Sequence, residues 1–169
     1  MGTLRVGFAA LAALMFSASF AQALEVQKKI NAPALPPKVW DVAGGFCAIK
    51  EWHPLVADCK ETVEGGAKIR TLTLKDGGSI KEKLIESDDT SYSYEIVESP
   101  LPVKNYKAKL WVEEDERNPD RTTIHWDATF DANGASDDDA TKKISDIFFA
   151  GLKGIKQKVL PPEGTAGGD

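Results

Sequence analysis

Residues 136–162 read SDDDATKKISDIFFAGLKGIKQKVLPP, and this stretch decides the architecture. Ser136 is a good helix N-cap, because its hydroxyl accepts an amide proton that the first turn leaves unpaired. Asp137, Asp138 and Asp139 follow in the first turn, where negative charge suits the positive end of the helix dipole. Ile144, Ile147, Phe148, Gly151, Ile155 and Val159 then recur at helical spacing and form one apolar face. Lys153, Lys156 and Lys158 fall near the other end, where cations are favoured, and Pro161-Pro162 stops the helix. Such a helix spans roughly 30 to 35 Å and needs an apolar surface to lie on.

The chain upstream supplies that surface. A first strand is expected over 25–31, broken by Pro33, Pro36 and Pro37. Pro37 suits the first position of a helix running through Val39, Trp40 and Val42, interrupted at Gly44-Gly45. A second short helix is expected over 46–50, ending before Pro54. Strands are then expected over 58–63, 68–74, 79–87, 91–98, 105–113 and 121–131. The turns fall at Gly65-Gly66, Asp76-Gly77-Gly78, Asp88-Asp89, Pro100 to Pro102 and Asn118-Pro119-Asp120. Turn signals at such regular spacing argue for consecutive antiparallel strands. The expected class is α+β: a curved antiparallel sheet of about seven strands wrapped around the long C-terminal helix, with two short helices after the first strand.

The chain has 169 residues and a formal net charge of -5, the size of one domain with a real core. An acidic balance argues against nucleic acid as the main partner, which would require clustered Lys and Arg. It argues equally against electrostatic attachment to anionic lipid. Residues 1–23 read as a signal peptide: Arg5 is followed by an apolar run from Val6 to Phe20 and by the small-x-small pattern Ala21-Gln22-Ala23. The alternative is an uncleaved N-terminal anchor. No later segment is long and apolar enough for stable membrane insertion after cleavage. The expected location is periplasmic or secreted, the domain is expected over 24–160, and a Gly-rich disordered tail over 161–169.

Two cysteines remain, Cys47 and Cys59. An oxidising compartment permits a disulfide, which would stabilise by roughly 3 kcal/mol in the chain-entropy picture. The alternative is two buried thiols packing as small hydrophobes. With only His53 and His125 as further soft ligands, the composition argues against a metal site. No Gly-rich phosphate loop, nucleophile elbow or paired-His motif is present, and no cofactor is expected.

The middle hairpin holds the candidate chemistry. Arg70, Leu72 and Leu74 share one strand face, and Ile80, Glu82 and Leu84 share one face of the next. A three-residue loop over 76–78 would pair Leu74 with Ile80, Leu72 with Glu82 and Arg70 with Leu84. The following turn would set Tyr94 opposite Leu84 and Ile96 opposite Glu82. Arg70 and Glu82 then become diagonal neighbours on an apolar face, where both are costly unless they pair. One reading is a polar anchor at a cavity floor, orienting a ligand against Tyr94, Tyr106, Leu110, Trp126, Phe130, Phe148 and Leu152. The other is a structural ion pair that fixes register, with those aromatic and aliphatic residues as plain core. Lys104, Lys107 and Lys109 read as a solvated strand face, and His125 receives no role.

An ordered series of residues resembles a known family: Trp40 with Phe46, Trp52-His53-Pro54, Cys59, Arg70 with Leu72 and Leu74, Gly77, Glu82 and Leu84. It continues with Tyr92 and Tyr94, Leu101-Pro102, Asn105-Tyr106, Trp126 and Phe130, and ends on the helix with Phe148 and Leu152. The series resembles the START and Bet v 1-like (SRPBCC) superfamily, and more closely its polyketide cyclase/dehydrase-like bacterial branch. With a signal peptide, the chain also looks like the exported MxaD-type accessory proteins of bacterial methanol oxidation. The resemblance implies a helix-grip fold with a hydrophobic cavity between sheet and helix. It implies a hydrophobic or amphipathic small molecule as ligand, and a periplasmic dehydrogenase or its cytochrome as protein partner. It also places Trp52 and His53 near the cavity mouth, where His53 would titrate near neutral pH or hydrogen-bond at a turn. The alternative function is a cyclase or dehydratase working by general acid–base chemistry through Glu82 and Arg70, with His53 or Tyr94.

Overall fold

The structure, a computed structural model, describes residues 22–160. Its elements run β1 (Leu24–Ala32), α1 (Pro36–Ala43), α2 (Ile49–Trp52), β2 (Val56–Glu64), β3 (Ala67–Leu74), β4 (Ser79–Ser87), β5 (Ser91–Glu98), β6 (Val103–Asp115), β7 (Asn118–Ala132) and α3 (Asp137–Val159). The expected signal peptide, apart from Gln22 and Ala23, and the expected tail with Pro161-Pro162 lie outside the described residues. Among the described residues no helix is long and apolar enough to cross a membrane.

The seven strands form one antiparallel sheet in the order β1-β7-β6-β5-β4-β3-β2. Strands β2 to β7 are a meander, and β1 pairs with β7 at the opposite edge from β2. The α1–α2 segment therefore crosses from one edge to the other, and α3 lies on the same face, against β1 and β7 and against both short helices. This is the α+β, helix-grip arrangement. Ser136 caps α3 as its sequence implies, its hydroxyl accepting the Asp139 N–H at 3.1 Å.

Several local expectations are corrected. The β3–β4 loop is three residues long but lies one position earlier, at Lys75-Asp76-Gly77. Gly77 has φ 89, the left-handed third position that such loops require, and the Gly78 N–H bonds Asp76 Oδ1 at 2.9 Å. Register consequently slips by two: Leu72 pairs with Ile80 and Arg70 faces Glu82 directly. Helix α2 starts at Ile49, not at residue 46, because Phe46 to Ala48 form turns after Gly44-Gly45. Asn118-Pro119-Asp120 belongs to β7; the turn is Glu116-Arg117, where Asp115 Oδ1 takes the Arg117 N–H at 2.9 Å.

Cys47 and Cys59 form a disulfide, with Cα atoms 5.5 Å apart. It ties the turn before α2 to β2. A β-bulge in β6 does comparable work on the far side. Three steps on β6, from Lys104 to Lys107, match two on β7, from Asp131 to Thr129. Asn105 sits in the left-handed region at φ 52, its Nδ2 donating to Asp131 Oδ2 at 2.7 Å. The extra residue resets the in–out alternation, so Val103 and Tyr106, three apart, both face inward.

Two glycines set how closely α3 docks. A Cβ at Gly151 would lie 2.6 Å from both the His53 and the Trp126 rings, and one at Gly154 would overlap the Trp52 carbonyl oxygen. The C-terminal half of α3 therefore rests directly on the α2–β2 turn. Alanine at either position should destabilise by about 1–3 kcal/mol through overpacking, despite its better helix propensity. The loss should be larger at Gly154, where backbone must move. Urea unfolding of Gly151→Ala and Gly154→Ala checks this; neutral variants would mean that the helix is not seated this tightly.

Candidate functional site

Under the N-terminal half of α3 the sheet and helix do not meet, and a cavity of about 510 Å³ lies between them. Leu72, Ile80 and Ile96 from the sheet and Ile144, Ile147 and Phe148 from α3 give it apolar walls, and Tyr94, Tyr106 and Trp126 add aromatic ones. Its rim carries Leu55, Lys75 and Asp76, the Pro100-Leu101-Pro102 segment, and Lys143. Volume and composition are those of a small-molecule site.

Glu82 is the carboxylate of that cavity. It sits directly opposite Arg70 and opposite Ile96. Arg70 Nε donates to Glu82 Oε2 at 2.5 Å, and Nη1 donates to the Phe46 carbonyl at 2.5 Å. The guanidinium lies 4.2 Å from the Phe46 ring centroid, 4.9 Å from that of Tyr94 and 5.6 Å from that of Tyr92. A fully buried cation thus gains an ion pair, a carbonyl and three aromatic faces. Arg70 Nη2 and the Tyr92 hydroxyl are left without a partner of hydrogen-bonding geometry. Burial works most strongly on the Arg70 charge and against it, but Glu82 together with Tyr92 and Tyr94 outweighs burial and holds the group above its ordinary range. Burial pushes Glu82 up, against the pull of Arg70. Glu82 Oε1 has no side-chain partner among the described residues and is not fully enclosed, so its small exposure opens on the cavity.

His53 lines the cavity as a neutral ring with both nitrogens engaged. Nδ1 accepts the Leu55 N–H at 3.2 Å, so Nε2 carries the proton and donates to the Ile147 carbonyl at 3.1 Å. Burial lowers its pKa to about 4, the bond to Ile147 opposes that, and the Arg70 charge adds to it. It clamps α3 to the α2–β2 turn and does not titrate near neutral pH. Trp126 stacks on Phe148, centroids 4.3 Å apart at 9°, and its Nε1 donates to the Tyr94 hydroxyl at 3.0 Å. Burial raises the pKa of both Tyr94 and Tyr106.

Of the residues expected around a ligand, Glu82, His53, Tyr94, Tyr106, Trp126 and Phe148 line the cavity. The other five do not. Arg70 stands behind Glu82. Trp52 lies edge-on to Trp126, centroids 5.7 Å apart, beneath the close approach of Gly154. Phe130 sits behind Tyr106, 6.1 Å between centroids, and Leu110 and Leu152 are fully buried core. Leu152 belongs to the half of α3 that rests directly on its support, leaving no space. The rim residues Lys75 and Lys143 escaped sequence reasoning. The available signal was that Lys143 precedes Ile144, at the border of the apolar helix face.

The family described as polyketide cyclase / dehydrase and lipid transport matches residues 22–160. The chain belongs to this family. Among solved structures, the protein XoxI from Bacillus cereus is 28% identical, with 79% of this chain and 94% of that one covered and a TM-score of 0.73. An uncharacterised Bacillus thuringiensis protein is also 28% identical, covering 82% and 100%, with a TM-score of 0.76. The ZhuI aromatase/cyclase from Streptomyces sp. R1128 shares the fold at 14% identity, covering 81% and 93%, with a TM-score of 0.60. No curated protein matches the sequence. For a polyketide cyclase/dehydrase family member, the cavity under α3 is the place to look for function.

Two outcomes test this description. Glu82→Leu strands a buried guanidinium and should cost about 3–5 kcal/mol, whereas Arg70→Met with Glu82→Leu should recover most of that loss. Equal losses in the single and double variants, measured by urea unfolding, would contradict the pairing. His53 is neutral when folded, whereas the unfolded ring titrates near its ordinary value of 6.5. Its contribution is fully present above that pH and is lost, by roughly 3 kcal/mol, as pH falls toward 4. Unfolding free energies between pH 7 and pH 4 should fall less steeply in His53→Gln than in the wild type. Glu82 titrates in both proteins and cancels from that difference.

Proposed function

We propose that the protein is exported to the periplasm and works by holding a small apolar or amphipathic molecule in the cavity, without transforming it. The observation that carries this reading is a 510 Å³ apolar and aromatic cavity with one unclaimed carboxylate oxygen, Glu82 Oε1, on its wall. Of the four candidate catalytic groups, Arg70 is screened from the cavity and His53 has both nitrogens bonded. Acid–base chemistry would fall to Glu82, its pKa raised by burial, and to the Tyr94 hydroxyl on the cavity wall, and these two groups with the family match are what favour a cyclase or dehydratase. Export is supported by the leader pattern of residues 1–23 and by the Cys47–Cys59 disulfide, a bond that persists in oxidising compartments. Service to a periplasmic dehydrogenase or its cytochrome is the finer part of the proposal. It rests on the resemblance to exported accessory proteins and on a net charge of -5, which would steer a salt-sensitive encounter.

Native mass spectrometry of the protein recovered from the periplasm tests the reading. The expected chain starts at Leu24, has lost two hydrogens to the disulfide, and carries an adduct released intact on denaturation. Ile80→Trp, which fills the cavity, should lose the adduct. Conversion of the released adduct, on incubation with the protein, to a species lighter by one water would establish the enzymatic reading instead. An adduct unaffected by Ile80→Trp would place binding elsewhere. Co-purification of a dehydrogenase or cytochrome at low salt, lost at high salt, is the expected result for the accessory role.

A further inference from the structure

The rim of the cavity is not neutral. Lys75, on the β3–β4 loop, and Lys143, on the first half of α3, both line it from opposite walls. Both are exposed, and neither forms an ion pair among the described residues. The single rim carboxylate, Asp76, is turned back on its own loop, with Oδ1 accepting the Gly78 N–H at 2.9 Å. Deeper in, the only carboxylate lining the cavity among the described residues is that of Glu82, whose pairing with Arg70 uses one oxygen and leaves the other without a side-chain partner. With two lysines against one carboxylate at the mouth, the electrostatic order inward is net cationic, then apolar, then an electron-rich acceptor.

This order discriminates among ligands and fixes their direction. An anion cannot enter the apolar interior without losing its hydration, and next to Glu82 it would meet a like charge. At the mouth it keeps part of its water and gains two cations. The interior accepts an apolar body, and Glu82 Oε1 can accept one hydrogen bond from its far end. We infer that the cavity takes an amphipathic organic anion, with a carboxylate, sulfonate or phosphate head held at the mouth by Lys75 and Lys143 and an uncharged end toward Glu82. The inference rests on the cavity being the ligand site and adds the class and polarity of what it binds.

A matched pair of probes tests it: anilinonaphthalene sulfonate and its uncharged parent, N-phenyl-naphthylamine, titrated against the full exported protein and followed by their own fluorescence. In Lys75→Gln/Lys143→Gln the affinity for the sulfonate should fall roughly tenfold, the sum of two partly exposed ion pairs, while that for the parent stays unchanged. Raised salt should weaken only the sulfonate in the wild type. Lys104→Gln/Lys109→Gln, on the outer sheet face, should leave both affinities as they were. Parent and sulfonate responding alike to the rim variant would overturn the anionic head while leaving the cavity reading intact. Failure of both probes to bind the wild type would overturn the cavity reading and the inference together.

Discussion

Placing a guanidinium and a carboxylate under a sheet carries a desolvation penalty of several kcal/mol per ion before any contact forms. The fold meets that penalty at Arg70 by converging three elements on one side chain. Strand β4 brings Glu82, the disulfide-anchored turn before α2 brings the Phe46 ring and carbonyl, and β5 brings Tyr92 and Tyr94. Register between β3 and β4, and the position of the α1–α2 crossover, are both tied to this cluster. A one-residue slip would turn Arg70 or Glu82 out to solvent and abandon the other. The same cluster forms one boundary of the cavity, so the charge pair that locks the strands also decides the interior polarity.

The second constraint is how α3 divides its length. Gly151 and Gly154 let its C-terminal half touch the Trp52-His53 turn, and His53 bonds the Ile147 carbonyl from below. The N-terminal half, from Lys143 to Phe148, is held off the sheet and roofs the cavity. Stacking of Phe148 on Trp126 marks the border between the two regimes. A ring that is neutral and doubly bonded serves there as a clamp, which is why burial and not a proton partner sets its pKa.

Element order, strand number and the helix with its cap were legible in the sequence because each depends on local periodicity and turn chemistry. The pairing of Leu84 with Tyr94 and of Glu82 with Ile96 was legible for the same reason. The β3–β4 register was misplaced by two residues, since Asp76-Gly77-Gly78 admits two loop positions and only the φ of Gly77 separates them. The inward faces survived that error, because a slip of two preserves alternation. The candidate site was less legible. Apolar residues on inward faces can be core or cavity lining, and the difference lies in how far α3 stands from the sheet. That distance is set by two glycines and a histidine whose partners lie nearly a hundred residues away. Of the two rim lysines, Lys75 carried no pattern, and Lys143 only its place beside Ile144 at the border of the apolar helix face.

The central claim is that the interior between α3 and the sheet is a place for a ligand, bounded by an intact Arg70–Glu82 pair. A crystal structure grown with N-phenyl-naphthylamine tests it most directly. The expected result is electron density for the probe between Phe148 and the β3–β5 face, within contact of Glu82, with Arg70 still bonded to Glu82 and to the Phe46 carbonyl. Density confined to the outer face of the sheet, over a collapsed interior or a broken pair, would contradict the account.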